Sequence, residues 1–528
     1  MKTPLRLEDL TVEQKIGQVL LGRAVVSKPE NTEFALKMIK NHALCGVQID
    51  PTPKGVEMIK MFQDAADYPL FIACDMEQGN PLGEYLIPGN FALGIVDNVE
   101  DTYNFAKATA KQAKSYGYNM MWSPVVDIRD PRCLGIMRGF GHQGERLADH
   151  ATAFMKAFAD CGIIGGAKHY PSANNATKYD SHMTEQTFDG TEEELREKNL
   201  YVYRRMIENL GEDMCGIMTG HTTCSKIDPD YPGTLSKKVM SIIRDYNFQG
   251  LMMTDSLAMG AIIQNFGEED MLGLSLAAGN DMLLPNYRIP LEDSYNYLLN
   301  CYKKGLFDEA RLDEAVANVL RAQERTMRQP ETYELTEAEK ESIARINRDC
   351  IEVITDPGVP VALSKDKKYL FVIMTENLYP SATNNSQIVG ETKTVKWWKP
   401  QEIADSLLER FPGSVTKFVC EYPNDLMNDF VVANASKYDE VVFFTYCNYR
   451  AYQGTEEITR RFQILMESVQ KRTSTIVHFG SPYAMEPLPH APRRFIGANS
   501  AKCIQHVIEA LCGEYVPQGK IPLELNLL

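Results

Sequence analysis

The chain has 528 residues, of which 44% are hydrophobic and 24% are charged, and it carries a net charge of −16. This composition is typical of ordinary soluble globular proteins, and the length favours two domains. The excess of acidic residues argues against a nucleic-acid partner or an anionic membrane surface, because both would repel the chain.

The cysteines and the N-terminus indicate the compartment. The twelve cysteines are scattered and form no Cys-x-x-Cys pair, so we expect buried, reduced thiols. The chain does not open on the apolar segment of a signal peptide, and it contains no run of about eighteen apolar residues. We therefore predict a cytoplasmic protein that makes no membrane contact, and we expect neither a metal ion nor a cofactor.

Short apolar runs alternate with helical patterns from residue 10 to about residue 290. The patterns that begin at Thr11 and Thr191 are capping boxes, which start helices. Eight strands separated by helices indicate a (β/α)8 barrel of the TIM type. The predicted strands are 18–22, 44–50, 69–76, 120–128, 163–170, 215–222, 250–256 and 281–285.

A second alternation of strands and helices follows a charged, helix-rich stretch. It favours a smaller, doubly wound α/β domain. The predicted strands of this domain lie near 369–375, 415–421, 440–446, 473–480 and 493–498. We therefore predict an α/β protein with a (β/α)8-barrel catalytic domain at 1–335, a linking helix at 336–350 and a C-terminal α/β sandwich at 351–528.

Polar side chains follow four of the predicted barrel strands at the point where each strand ends. Active sites of (β/α)8 barrels lie at the C-terminal ends of the strands, so we expect these side chains on one rim. They are Asp75, Lys168, His169, Thr219, His221 and Asp255.

Each of these positions also has a plainer interpretation. Asp75 and Asp255 could cap the segments that follow them. Lys168 and His169 could form a structural ion-pair site. For His221 we favour a structural role over a catalytic one.

His182 lies in a polar loop that follows the fifth predicted strand and spans 172–185. A loop above the mouth of a barrel can carry a movable catalytic group. Asp180 can accept a hydrogen bond from one ring nitrogen of His182, which fixes the tautomer and raises the basicity of the other nitrogen. The plainer alternative is a solvated turn with an incidental histidine.

A set of motifs follows in order along the first domain. They are Leu10–Gln18, Asp75–Gly79, Ser123–Asp127, Arg138–Gly141, Lys168–Pro171, Asp180–His182 and Phe248–Met259. The set resembles glycoside hydrolase family 3, with LTLEEKIGQ, D-x-E-G-G, APVLD, RSFG, KHFP, DSH and F-x-G-x-V-x-T-D-x-L-x-M in the same order. The DSH motif marks the β-N-acetylglucosaminidase (NagZ-like) branch. The segments 480–483 and 517–522 are similar to parts of the family's C-terminal α/β sandwich.

The resemblance implies a role for each matching residue. Asp255 matches the family's nucleophile, His182 its acid/base, and Asp180 the partner of that histidine. The positions that hydrogen-bond the sugar beside the scissile bond are matched by Asp75, Arg138, Lys168 and His169. The implied activity is that of a retaining β-glycosidase. We expect an exo-acting β-N-acetylglucosaminidase (β-N-acetylhexosaminidase) that cleaves terminal sugars through a covalent glycosyl–Asp intermediate.

Three alternatives stay open, and the oligomeric state stays open with them. A neutral histidine acid/base would let phosphate replace water, which would make the enzyme a phosphorylase. A β-glucosidase of the same family would take its acid/base from Glu456 or Glu457. A non-catalytic sugar-binding protein is the third alternative, because Gln78 displaces the second glycine of D-x-E-G-G and the sequence at 172–175 replaces the GHG that normally follows KHFP.

Overall fold

The computed structural model describes residues 2–24, 29–79, 81–83, 85–128, 135–172, 182–375, 397–447 and 456–527. The chain divides into two units. The first comprises Met1–Leu86, Asn98–Cys133 and Arg138–Ile343, and the second comprises Ile87–Asp97, Leu134–Met137 and Ala344–Leu528. The second unit thus takes two short segments from the N-terminal half of the chain.

The first unit is built on parallel strands. They are β1 (Leu21–Ala24), β2 (Gly46–Ile49), β3 (Phe71–Cys74), β4 (Met120–Met121), β5 (Ile164–Gly165), β6 (Ala167–Tyr170), β7 (Gln186–Phe188), β8 (Gly216–Thr219), β9 (Thr222–Cys224) and β10 (Leu251–Thr254). One sheet has the order β1-β2-β3-β4-β5, a second has the order β10-β8-β6, and β7 pairs with β9. Nearly every residue of the two main sheets is buried, which explains why the strands read as short apolar runs.

Isolated parallel bridges extend these sheets. Leu20 bridges to Leu283, Met253 bridges to Met282, and Val125 bridges to Lys168. The predicted strand at 281–285 is therefore represented only by bridges. The predicted strand at 120–128 shortens to β4, because Pro124 has no N–H to donate to a ladder.

Helices separate most of the strands of the first unit. They are α1 (Val12–Gln18), α2 (Pro29–Lys40), α3 (Pro53–Ala65), α4 (Asn90–Val96, which belongs to the second unit), α5 (Val99–Ser115), α6 (Gly144–Asp160), α7 (Glu192–Glu194), α8 (Tyr201–Leu210), α9 (Lys237–Ile242), α10 (Gly260–Ile263), α11 (Met271–Ala278), α12 (Leu291–Lys303), α13 (Glu309–Arg325) and α14 (Glu337–Asp349). The capping boxes predicted at Thr11 and Thr191 are both confirmed. Lys111 of α5 and Glu339 of α14 form a buried ion pair at 2.7 Å.

The second unit is a six-stranded sheet with helices. Its strands are β11 (Ile351–Thr355), β12 (Tyr369–Thr375), β13 (Val415–Cys420), β14 (Glu440–Tyr446), β15 (Thr473–Phe479) and β16 (Arg493–Gly497). Their order is β11-β16-β15-β14-β12-β13, and all pairs are parallel except β11 with β16. The helices of this part are α15 (Pro400–Arg410), α16 (Asp425–Asn434), α17 (Arg460–Ser468) and α18 (Ala501–Leu511). Both units thus fit the predicted α/β class.

Helix α4 contributes to the core of the second unit. Its Phe91 and Ile95 belong to the buried cluster that includes Phe443 and Phe462. The N–H of Lys520 also donates to the Ile95 carbonyl at 3.1 Å. Within the described ranges, no helix has both the length and the apolar composition that crossing a membrane requires.

Candidate active site

Asp255 lies directly after β10, and its backbone joins it to β8. Its N–H donates to the Thr219 carbonyl at 2.9 Å. Its Oδ1 accepts the N–H of Ser256 at 2.6 Å. Only 23% of the Asp255 side chain is exposed. The Ser256 backbone therefore holds Oδ1, and Oδ2 is available for a different contact.

The second oxygen of Asp255 faces His169 of β6. The distance from His169 Nε2 to Asp255 Oδ2 is 3.6 Å. On the other side of the ring, Nδ1 lies 2.9 Å from Oδ2 of Asp127, and the His169 N–H donates to Oδ1 of Asp127 at 2.8 Å. The Asp127 side chain is fully buried. An ionised carboxylate accepts only, so Asp127 holds the ring with a proton on Nδ1 and orients Nε2 towards Asp255.

A second cluster centres on Glu77, which follows β3. Arg138 donates to this carboxylate from Nε at 3.2 Å and from Nη2 at 2.7 Å, and Lys168 Nζ lies 2.8 Å from Oε1. Lys168 also donates to Oδ1 of Asp75 at 3.0 Å. Burial would raise the pKa of Glu77, but Arg138 and Lys168 hold it well below its usual range. Burial would lower the pKa of Lys168, but Asp75 and Glu77 raise it above its usual value.

The electrostatic surroundings keep Asp255 ionised. Burial alone would raise the pKa of its carboxyl. Three neighbouring side chains outweigh burial and hold this pKa below its ordinary value: His169, His221 and Lys168. The site therefore presents a partly buried carboxylate in its charged form, which is the form that can attack an electrophilic carbon.

The partly buried His182 lies in a segment whose backbone is hydrogen-bonded to α10, the helix that follows Asp255 in the chain. The His182 carbonyl accepts the N–H of Gly260 at 3.0 Å, and the Met183 carbonyl accepts Nε2 of Gln264 at 2.9 Å. A Cβ at Gly260 would lie 2.9 Å from the His182 oxygen, so this contact requires glycine. His182 is also among the charges that lower the pKa of His221, after the larger effect of burial.

A family model described as "Glycosyl hydrolase family 3 N terminal domain" matches residues 11–322. The chain belongs to glycoside hydrolase family 3. The family resemblance drawn from the motifs is thereby confirmed. The β-hexosaminidases among its relatives agree with the NagZ-like branch of family 3.

Two relatives align over parts of the chain. A β-N-acetylglucosaminidase/β-glucosidase of Cellulomonas fimi is 24% identical over 335 residues, which are 60% of this chain and 57% of that protein. A β-hexosaminidase of Nitrosomonas eutropha is 28% identical over 229 residues, which are 41% of this chain and 64% of the relative. The alignments therefore span less than two thirds of the length of these curated relatives.

Solved structures have the same fold over almost the whole chain. A family 3 β-N-acetylglucosaminidase from Paenibacillus sp. str. FPU-7 superposes with a TM-score of 0.80 at 22% identity, covering 98% of this chain and 100% of that chain. A β-glucoside phosphorylase superposes with a TM-score of 0.80 at 19% identity, covering 99% of this chain and 95% of that chain. At these identities the likeness establishes the fold alone.

The structure brings most of the sequence-derived site residues into two linked clusters. Lys168 contacts Asp75, and the next residue, His169, faces Asp255. Arg138 joins the cluster of Lys168 and Asp75 through Glu77, a carboxylate that was given no role in the sequence analysis. Asp180 lies outside the described residues.

Two carboxylates of the candidate site, Glu77 and Asp127, were not among the site residues predicted from the sequence. Both stand inside the quoted motifs, in D-x-E-G-G and APVLD respectively. Both lie at or just beyond the end of a predicted strand, and the same rule identified Asp75 and Asp255.

Proposed function

We propose that the chain is a retaining β-glycosidase that removes terminal N-acetylglucosamine, with Asp255 as the nucleophile. The observation that carries this proposal is the ionised Asp255 carboxylate, with one oxygen held by the Ser256 N–H and the other facing His169. A covalent nucleophile needs both the charged form and a fixed direction of attack. The β-N-acetylglucosaminidase and β-hexosaminidase relatives support the N-acetylated sugar.

The reaction has two steps in this proposal. Asp255 attacks the anomeric carbon, while His182 donates its proton to the leaving oxygen and the glycosidic bond breaks. The same imidazole then removes a proton from water, which attacks the anomeric carbon and releases Asp255. In this proposal Asp180 would accept a hydrogen bond from the ring and would stabilise its cationic form. The tethering of the His182 carbonyl to Gly260 supports a common location with Asp255, because Gly260 begins the helix that follows the nucleophile.

The remaining site residues would hold the sugar. Arg138, Lys168 and His169 offer N–H donors to hydroxyl oxygens, and the Asp75 side chain, which is 57% exposed, offers acceptors. Glu77 and Asp127 fix the direction of these donors and are not expected to touch the sugar.

We further propose that the sheets of the first unit form one (β/α)8 barrel. The parallel bridges from Leu20 to Leu283, from Met253 to Met282 and from Val125 to Lys168 support it, because they join strands that would be neighbours in a closed ring. The segments Ile87–Asp97 and Leu134–Met137 belong to the second unit, so they are not part of the barrel proposed for 1–335. The free thiols of the described cysteines support the cytoplasm as the compartment.

Phosphorolysis is the second candidate. A neutral histidine repels an incoming phosphate less than a carboxylate acid/base would, and one solved structure of the same fold is a β-glucoside phosphorylase. The test is to incubate enzyme and substrate in phosphate buffer and to measure sugar 1-phosphate. Its formation at the expense of free sugar would assign a phosphorylase, and free sugar alone would exclude this candidate.

The main test uses a panel of 4-nitrophenyl glycosides. We expect the wild-type protein to prefer the β-N-acetylglucosaminide, and Asp255→Asn to lose about 10⁴-fold or more in kcat. A preference for the β-glucoside, retained by His182→Ala and lost in Glu456→Gln, would favour the β-glucosidase alternative. Saccharide binding without turnover would favour the non-catalytic alternative. Full activity of Asp255→Asn would refute the proposed nucleophile.

A further inference from the structure

His221 is a buried histidine whose two ring nitrogens both have partners. It follows β8, and only 6% of the residue is exposed. Its Nδ1 lies 2.9 Å from the hydroxyl oxygen of Thr234, and its Nε2 lies 3.1 Å from the carbonyl oxygen of Ser256. Since Ser256 follows Asp255 in the chain, this second contact links His221 to the backbone of the nucleophile.

The partners define which nitrogen carries the proton. A carbonyl oxygen only accepts, so Nε2 must donate its hydrogen to Ser256. Burial lowers the pKa of His221, but the donation from Nε2 to Ser256 needs no charge on the ring. The Thr234 hydroxyl donates to the Gly220 carbonyl at 2.7 Å, and its oxygen lies 2.9 Å from Nδ1. The Ser256 carbonyl alone therefore fixes a proton on Nε2.

The contact with Ser256 bears directly on the nucleophile. The N–H of Ser256 is the donor that holds Oδ1 of Asp255 at 2.6 Å, and this leaves Oδ2 facing His169. The backbone around Ser256 therefore sets the direction of the Asp255 carboxylate. His221 binds the same residue through its carbonyl, and so restrains the position of that N–H.

We propose that His221 is a positioning residue for the nucleophile: by donating from Nε2 to the Ser256 carbonyl, it fixes the Ser256 N–H that orients the Asp255 carboxylate. The inference rests on the proposed function, because it requires Asp255 to attack the sugar. It changes our sequence-based view of His221 from a structural residue to one that acts on catalysis through Ser256.

Two variants separate the contacts of the ring. In His221→Gln the amide nitrogen reaches the position of Nε2 and can still donate to Ser256. In His221→Asn the shorter amide reaches the position of Nδ1 and keeps only the contact with Thr234. A merely structural histidine has no reason to distinguish the two amides in kcat, whereas a positioning residue requires the one that reaches Ser256.

A second buried histidine provides a matched control. His478 of β15 has the same pair of contacts, from Nδ1 to the Thr445 hydroxyl at 3.0 Å and from Nε2 to the Ser481 carbonyl at 3.2 Å. These partners all belong to the second unit. His478→Asn removes an equivalent carbonyl contact that does not involve Ser256.

The assay measures kcat and KM with a 2,4-dinitrophenyl β-glycoside, whose leaving group needs no protonation and therefore reports on the nucleophile. We expect His221→Asn to lower kcat by about 10- to 100-fold with little change in KM, as for a reacting group misplaced by about 1 Å. We expect His221→Gln to recover most of kcat, and His478→Asn to keep the wild-type kcat. Thermal unfolding of each variant verifies that it is folded.

Three results would overturn the inference: an unchanged kcat in His221→Asn, an equal loss in His221→Gln, or an equal loss in His478→Asn. A failure of the proposed function gives a different pattern. In that case the wild-type protein cleaves no glycoside of the panel, or Asp255→Asn stays active. Loss of activity in Asp255→Asn together with a normal kcat in His221→Asn would reject the positioning role alone.

Discussion

Replacing Glu77 with glutamine tests whether its carboxylate organises the cations of the sugar site. Glutamine keeps one acceptor oxygen but places an NH₂ group against a cation, and it removes the negative charge that Arg138 and Lys168 share. The Lys168 side chain is only 4% exposed. In the variant, Asp75 would be the remaining carboxylate that contacts its ammonium group. Breaking a buried ion pair from one side costs about 3–5 kcal/mol. Since 24% of the Arg138 side chain is exposed, we expect the lower end of this range, about 3 kcal/mol.

The same change should reduce activity, because two donors to the sugar lose their fixed direction. We expect kcat/KM for the preferred nitrophenyl glycoside to fall by about 10- to 100-fold. The matched control is Glu339→Gln. Glu339 accepts Lys111 Nζ at 2.7 and 2.9 Å, and both side chains are 3% exposed. This variant should lose comparable stability in urea unfolding but keep kcat/KM.

The stability effect of Glu77 should also depend on pH in a defined direction. The folded-state pKa of Glu77 is depressed, so its contribution is complete above the unfolded pKa of about 4.3 and is lost as the pH falls through the lower folded pKa. The difference in urea midpoint between the wild-type protein and Glu77→Gln should therefore be constant from about pH 6 to 8 and shrink on acidification. The reasoning is refuted if Glu77→Gln keeps wild-type kcat/KM, or if Glu339→Gln loses as much kcat/KM as Glu77→Gln.

Three further predictions concern the reacting groups. His182→Ala should lower kcat by about 10²–10⁴-fold for substrates with poor leaving groups. The first step with 2,4-dinitrophenyl glycosides should be spared, because their leaving group needs no protonation. An equal loss for the two classes of substrate would contradict the acid/base role. Asp127→Asn should lower kcat by about 10²-fold, because the amide no longer holds the Nδ1–H tautomer of His169. A normal kcat would show that Asp127 does not determine this tautomer. Neighbouring cations outweigh burial and lower the pKa of Asp255. The rate of inactivation by a 2-deoxy-2-fluoro glycoside should therefore stay constant down to about pH 4. A decline of this rate already at pH 6 would contradict the lowered pKa.

The sequence was sufficient for the α/β class and the family. Strand ends are visible in sequence because a buried apolar run stops where a polar residue begins, as at Asp75 and Asp255. The strand predicted at 163–170 is divided into β5 and β6, and the strand predicted at 281–285 forms only bridges. Hydrophobicity marks burial, but it does not specify which backbone groups pair.

The partners of the site residues could not be predicted. Whether Glu77 faces a sugar or a pair of cations depends on how far Arg138 and Lys168 reach across the site, and this is a tertiary property. The same holds for His221, whose two contacts come from segments that follow β9 and β10. A lone histidine in a sequence gives no indication that its ring binds the residue beside a nucleophile.

Helix α4 has a practical consequence for any attempt to divide this protein. Its Phe91 and Ile95 complete a hydrophobic core whose other members come almost entirely from beyond residue 344. A recombinant fragment starting at that residue would expose the apolar surface that these two side chains cover, and would be prone to aggregate. Functional dissection of the C-terminal half therefore calls for co-expression with, or fusion to, a peptide that carries residues 87–97.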